Sequence, residues 1–169
     1  MRRFRPDALA TSGVLLFSFV AITAGVMEGA LAQDMKSDHW SPAELRERAK
    51  HLQQEAAEKG SASEKLETYP HHYTMLAFRN RSGGGEAHQN YADVFFILEG
   101  RATLVTGGEV VEPKSTGPGE TLGASVKGGS RQELKTGDVV HIPASMPHQM
   151  VLGDGDTVTY FVIKVEETR

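Results

Sequence analysis

The sequence predicts an all-β domain, a barrel or sandwich, preceded by a short helical segment. From Tyr69 onward, runs rich in Val, Ile, Thr and Phe alternate with clusters of Gly, Pro, Asn and Asp. No helical pattern separates these runs, which disfavours an α/β fold. Helical spacing is found only before them, where Leu45, Ala49, Leu52 and Ala56 recur on one face. At 169 residues, the chain is of a length that suits one such domain with one core.

The first 32 residues have the pattern of a secretory signal peptide. Three arginines lie within the first five residues, an apolar stretch covers about 13–27, and Ala30-Leu31-Ala32 supplies a small-residue cleavage site. An uncleaved membrane anchor is the competing interpretation, but the stretch is shorter than the roughly 20 apolar residues of a spanning helix. We therefore expect cleavage after Ala32 and a periplasmic or secreted protein. The absence of cysteine excludes disulfides and a lipid-anchored cysteine.

A helix is predicted to begin at Ser41 and to end near Gly60. Ser41 can cap the helix, Pro42 suits its first position, and Glu44 completes a capping box. Its apolar face is narrow, so we expect a helical arm over residues 33–68 that covers a sheet edge or reaches a second copy of the chain. The barrel domain is then expected over residues 69–169.

Seven strands and one long irregular segment are predicted in the barrel domain. The strands are expected at 72–79, 94–98, 102–106, 131–134, 139–142, 148–152 and 158–165. Gly107-Gly108 is expected to turn the chain so that 109–111 pairs back onto the strand before it. Residues 113–129 are rich in Gly, Pro, Ser and Thr, which indicates either a lid over the barrel mouth or a mobile surface insertion.

Two segments concentrate imidazole and carboxylate groups beside β-prone runs. The first has Glu86 and His88, then Asp93, then Gly100, and the second has Gly137, Pro143 and His148. Their order and spacing resemble the two motifs of the cupin superfamily. Against the family pattern, Glu86 stands at a histidine position, Asp93 at a glutamate position and Ser145 at a glycine position.

The resemblance implies a single cupin jelly-roll barrel, similar to small single-domain bacterial cupins with the type-2 conserved barrel. It also implies pairing as a homodimer, and a metal site at the positions of His88, His148, Glu86 and Asp93. Independently of the resemblance, Glu86 and His88 are two positions apart in the sequence, so on an extended strand their side chains point to one face. Imidazole and carboxylate together suit divalent Fe, Mn, Zn, Ni or Co.

Each of the four candidate metal ligands also has an alternative role. Glu86 follows three glycines and could point into solvent, while Asp93 could ligate directly, act through water, or hold a histidine in one tautomer. The two histidines could also remain in a barrel that binds no metal. His141, on a predicted strand, could face the barrel or a packing surface.

Several function classes are excluded by composition and motifs. The chain carries 22 acidic and 18 basic residues, a net charge of −4, without the basic stripe of a nucleic-acid-binding protein. It has no phosphate-binding loop, no Gly-x-Ser-x-Gly motif and no thiol. Two hypotheses remain, since the fold alone selects no reaction.

The first hypothesis is a metal-dependent oxygenase, isomerase or lyase acting on a small metabolite, with no catalytic residue assignable from the sequence. Aromatic and methionine side chains would form its pocket walls, namely Phe95, Phe96, Met146, Met150 and Tyr160. The alternative is a barrel that binds a small ligand without catalysis, or a purely structural one.

Overall fold

The computed structural model of the protein describes residues 37–167, so the predicted signal segment lies outside the described residues. Among the helical residues in that range, none form a helix long and apolar enough to cross a membrane. The elements are α1 (Pro42–Lys59), β1 (Ser61–Thr68), β2 (His72–Arg79), β3 (Gly85–His88), β4 (Tyr91–Thr106), β5 (Glu109–Val111), β6 (Lys114–Gly117), β7 (Glu120–Gly123), β8 (Ser125–Lys127), β9 (Ser130–Lys135), β10 (Val139–Ile142), β11 (His148–Val151) and β12 (Val158–Glu166).

Both ends of α1 follow the predicted capping pattern. The backbone N–H of Glu44 donates to the Ser41 hydroxyl, and the Glu44 carboxylate accepts from the Ser41 backbone N–H at 2.7 Å. At the other end, Gly60 has a left-handed conformation, with φ of 87°, and its N–H donates to the carbonyl of Ala56. The helix therefore begins and ends where its sequence requires.

The apolar face of α1 packs on the outer side of the sheet. Ala49, Leu52 and Ala56 are buried against Leu76 and Phe78 of β2. This small cluster is separate from the core inside the barrel. The helical arm thus covers the protein's own sheet near β1 and β2.

Residues 61–68, which the sequence placed in the helical arm, form β1 instead. This strand pairs antiparallel with β2, with Ser61 opposite Arg79 and Thr68 opposite Tyr73. It lies at the edge of the sheet and carries mostly polar side chains, a composition typical of a protected edge. Because its residues are mostly polar, this strand lacks the apolar alternation by which a strand is recognised in a sequence.

The long strand β4 belongs to two sheets. Its first part pairs with β12 and β10, whereas its second part pairs with β9 and β11. Gly100, with φ of 81°, marks the change, and a β-carbon there would lie 2.0 Å from the carbonyl oxygen of Thr157. The two strands predicted at 94–98 and 102–106 are therefore one strand shared by both sheets.

The two sheets enclose one core, and the predicted all-β barrel with an N-terminal helix is confirmed. One sheet runs β1-β2-β12-β4-β10, and the other runs β9-β4-β11-β3-β7-β6. Their inner faces meet through alternate residues of each strand, which include Phe95, Ile97, Leu104, Leu134, Ile142, Met150, Tyr160 and Val162.

Residues 113–129, which the sequence indicated as a lid or a mobile surface insertion, form short paired strands. They contain β6, β7 and β8, and β7 pairs along the whole of β3, from Gly85 opposite Gly123 to His88 opposite Glu120. The predicted pairing of 109–111 with the strand before it is also wrong, because β5 pairs with β8. Strands of three or four residues rich in Gly and Ser carry too little periodicity to be recognised in a sequence.

Candidate metal centre

Two strands of the same sheet bring Glu86, His88 and His148 together. Glu86 and His88 alternate on β3 and face inward, and His148 opens β11 directly opposite Glu86. His148 and His88 are buried, at 2% and 8% exposure, and Glu86 is half-buried. Glu86 therefore faces the barrel interior and not the solvent.

The distances among the three side chains suit a metal ion. Oε1 of Glu86 lies 3.6 Å from Nε2 of His148, Oε2 of Glu86 lies 3.8 Å from Nε2 of His88, and the candidate ligand atoms all lie within 4.8 Å of one another. Ligand atoms roughly 2.0–2.2 Å from a tetrahedral ion are about 3.3–3.6 Å apart. Only a small inward movement would complete such a site.

The remaining nitrogen of each imidazole is already engaged. The Nδ1–H of His88 donates to Oε2 of Glu120 at 2.5 Å, and the Nδ1–H of His148 donates to the carbonyl of Met146 at 2.9 Å. In a neutral ring this tautomer leaves a lone pair on Nε2. Both Nε2 atoms are buried and lack a hydrogen-bond partner within residues 37–167. Such an outer hydrogen bond is the usual means of orienting a metal-bound histidine.

Asp93 lies behind the two imidazoles and is 1% exposed. Its Oδ2 lies 3.3 Å from Nε2 of His148 and 3.6 Å from Nε2 of His88. The Lys164 ammonium, on β12, lies 2.6 Å from Oδ1 and donates to Oδ2 at 2.8 Å. Asp93 is therefore shared between the histidines and the partly buried Lys164 ammonium.

The Asp93 carboxylate and the facing imidazole nitrogens repel each other unless a positive charge lies between them. Burial acts to raise the pKa of Asp93, but its interaction with His148 and the Lys164 ammonium hold that pKa below its usual value. Burial acts to lower the pKa of His148, but the Asp93 and Glu86 carboxylates outweigh it and raise that pKa. A carboxylate facing an imidazole lone pair is repulsive, so either a proton or a metal ion must separate them.

A cavity of about 260 Å³ adjoins this group. Glu86, Asp93, Phe95 and Tyr160 line it together with Lys164. Of the predicted pocket walls, Phe95 and Tyr160 thus face the cavity. Met146 and Met150 pack in the core, and Phe96 lies on the outer face of the sheet against Phe161.

His141 does not reach the group. It lies on β10 opposite Val94, and its side chain is exposed. Lys164 and Glu120, which the sequence did not indicate, contact the group instead. Lys164 could have been found from its alternation with Val162 and Tyr160, which points it inward. Glu120 begins β7, within residues 113–129 that the sequence predicted to be irregular, and it gave no such signal.

Both motifs of the sequence thus meet inside an antiparallel barrel, where the tilted rings of His88 and His148 lie 5.3 Å apart between centroids. The fold is that of a cupin. The antiparallel barrel agrees with the jelly-roll fold that the resemblance implied.

Solved structures with a similar fold include several cupins. A cupin domain of Cnp3 from Schizosaccharomyces pombe is 9% identical, with a TM-score of 0.48 over 63% of this chain and 65% of that one. The polyketide cyclase RemF from Streptomyces resistomycificus is 18% identical, with a TM-score of 0.46 over 65% and 69%. The DMSP lyase DddQ from Ruegeria pomeroyi is 16% identical, with a TM-score of 0.46 over 62% and 46%.

The likeness carries no argument about activity at these identities and TM-scores. The chain spans less than half of the lyase chain that it matches. No protein-family model matches the sequence, and no curated protein matches it. Function must therefore be argued from the site itself.

Proposed function

We propose that this cupin holds one divalent transition metal through His88, His148 and Glu86. The observation that carries the proposal is the pair of buried Nε2 atoms that converge with the Glu86 carboxylate and have no hydrogen-bond partner within residues 37–167. Fe, Mn, Zn, Ni and Co are the candidate ions, because imidazole and carboxylate ligands suit all of them.

Three protein ligands leave coordination positions free for a small molecule. The cavity of about 260 Å³ begins at Glu86 and Asp93, so a ligand in it would lie beside the metal. This arrangement supports metal-dependent chemistry on a small metabolite, of the oxygenase, isomerase or lyase type. The alternative is metal-assisted binding of a small molecule without catalysis. It is favoured by the pairing of Asp93 with Lys164, which removes one candidate ligand.

Metal analysis of the purified protein tests the proposal. We expect one equivalent of metal in the wild type after reconstitution, and almost none in His88→Ala or His148→Ala. His141→Ala is the matched control, since His141 is an exposed histidine away from the group. Glu86→Ala should weaken binding less than either histidine variant. Uptake of none of the five ions, or normal uptake by both histidine variants, would show that the barrel is not a metal site.

We also propose export and self-association. The export proposal rests on the signal-peptide pattern of residues 1–32, and N-terminal analysis of exported material should give Gln33 as the first residue. The dimer proposal is supported by Phe96 and Val139, which are 36% and 57% exposed on the outer face of one sheet. Light scattering that gives a monomer at all concentrations would contradict it.

A further inference from the structure

The cavity beside the candidate metal centre has a charged group at each end and an apolar middle. Its walls include alternate residues of two paired strands, Met75, Ala77 and Arg79 on β2 and Tyr160, Val162 and Lys164 on β12. The edge strand β1 contributes Ser61, Ala62 and Ser63. Because β2 and β12 are antiparallel, Arg79 lies at one end of these strands and Lys164 at the other. Phe95 adds to the apolar middle.

Arg79 has no direct ion-pair partner in the described part of the chain, although the charge of Glu86 acts on it from a longer distance. Its Nε–H donates to the hydroxyl of Tyr160 at 3.0 Å, which is the one hydrogen bond of this side chain to the described part of the chain. No carboxylate of residues 37–167 lies within 4.0 Å of its guanidinium. A half-buried guanidinium has five N–H donors, and those not bonded to Tyr160 have no acceptor among residues 37–167. Lys164, by contrast, is neutralised by Asp93.

The position of the guanidinium is fixed by its surroundings. A β-carbon at Gly83 would lie 2.8 Å from Nη1 of Arg79, so glycine leaves the guanidinium its space. On the other side, Tyr160 is buried and its ring packs against Phe95 at 5.2 Å between centroids. The hydrogen bond to Tyr160 and the space at Gly83 therefore favour the observed position of the guanidinium.

The charges of the cavity favour an anion once a metal is present. Two cationic side chains, Arg79 and Lys164, and two anionic ones, Glu86 and Asp93, line it and balance each other. A divalent ion at the candidate centre would make the cavity positive by two charges. A carboxylate ligand would offset part of this excess positive charge, and the planar fork of an arginine matches a carboxylate in particular.

We infer that the cavity binds a small carboxylate, whose carboxyl group pairs with Arg79 and whose opposite end reaches the metal. The volume of about 260 Å³ lies below the roughly 300–1,000 Å³ of pockets for drug-sized ligands, so the ligand is small. The apolar middle formed by Met75, Ala77 and Val162 fits a short hydrocarbon stem. The inference rests on the proposed function only for the metal end, because Arg79 belongs to the barrel with or without an ion.

Calorimetric titration with a defined panel tests this inference. The probes are acetate, propionate and succinate, their neutral amides, and inorganic phosphate, each added to zinc-loaded and to metal-free protein. We expect the carboxylates to bind about tenfold or more tightly than the amides, since charge-assisted hydrogen bonds are lost in the amides. Binding should be tighter to the zinc-loaded protein. Binding of phosphate but of no carboxylate, or equal binding of acids and amides, would overturn the inference.

Variants of Arg79 separate its role from general charge. Arg79→Gln should lower carboxylate affinity about tenfold or more, with the bound zinc unchanged. Arg131→Gln is the matched control, because Arg131 is exposed on β9, and it should leave the affinity as in the wild type. If Arg79→Gln does not fold, Arg79→Lys keeps the charge but loses the fork, and the same affinity comparison applies. Equal affinities for the Arg79 and Arg131 variants would overturn the inference.

The design distinguishes the two proposals. Stoichiometric zinc with no dependence of carboxylate binding on Arg79 would defeat this inference and leave the metal site standing. No zinc, together with carboxylate binding that still depends on Arg79, would defeat the proposed function and leave the carboxylate site standing.

Discussion

The Nδ1–H of His88 donates to Oε2 of Glu120 at 2.5 Å, across the pair of strands β3 and β7. Glu120 comes from the segment whose sequence gave the least structural information. Its carboxylate fixes the tautomer that turns Nε2 of His88 toward Glu86 and His148. A residue with no motif signature thus orients a residue of the motif.

Glu120→Ala should weaken metal binding about 10- to 100-fold, because the imidazole of His88 loses its orienting acceptor. Competition between the protein and a chromogenic chelator for zinc would measure the change. Glu120→Gln should fall between the wild type and the alanine variant, since an amide oxygen still accepts a hydrogen bond. Glu109→Ala, an exposed change on β5, is the control. An affinity for Glu120→Ala equal to that of the control would contradict the orienting role.

Lys164→Met should destabilise the metal-free protein by about 3 kcal/mol, because Asp93 would remain buried without its partner cation. Zinc should restore a larger part of the stability in this variant than in the wild type, since Asp93 becomes free to approach the ion. Urea unfolding with and without zinc measures both effects. Lys127→Met, on an exposed position of β8, should change stability little. A Lys164→Met protein as stable as this control would show that the ion pair contributes nothing.

Gly85→Ala should reduce metal binding although Gly85 ligates nothing. A β-carbon there would lie 2.4 Å from the carbonyl oxygen of Ser125, so β3 must move and carry Glu86 and His88 with it. We expect a loss of about 1–3 kcal/mol in stability and a weaker affinity for zinc. Gly117→Ala is the control, because its β-carbon would meet only Glu120, at 3.9 Å. Unfolding and zinc titrations of the two variants should differ, and equal results would contradict the argument.

Tyr73 should ionise late in an alkaline titration. Burial first, and then the charges of Asp93 and Glu120, raise its pKa from 10.0 to about 12. The folded state therefore holds the phenolic proton more tightly than the unfolded state. This contribution to stability is complete below pH 10 and is lost as the pH rises toward 12. Ultraviolet difference spectra of the wild type and Tyr73→Phe would assign the late transition, and its persistence in Tyr73→Phe would disprove the assignment.

Local rules account for the parts of this fold that the sequence predicted well. The capping box at Ser41, the left-handed Gly60 and the strand at 139–142 each depend on neighbours within a few residues. At Gly100 the local feature is a bend in the strand. The carbonyl oxygen that leaves no room for a side chain there belongs to the distant Thr157. The edge strand 61–68 was missed because its burial is supplied by α1 and β2 and not by its own pattern.

The sequence alone determined the all-β class, the helix ends, and the placement of Glu86 and His88 on one face of a strand. Period-two alternation and motif spacing contain that information. Only the tertiary structure decided which other side chains contact the residues of the candidate metal centre. Lys164 reaches Asp93 through the pairing of β12 with β4, and Glu120 reaches His88 through that of β7 with β3. Such register is set by packing between distant segments, where a one-residue shift would turn every side chain to the other face.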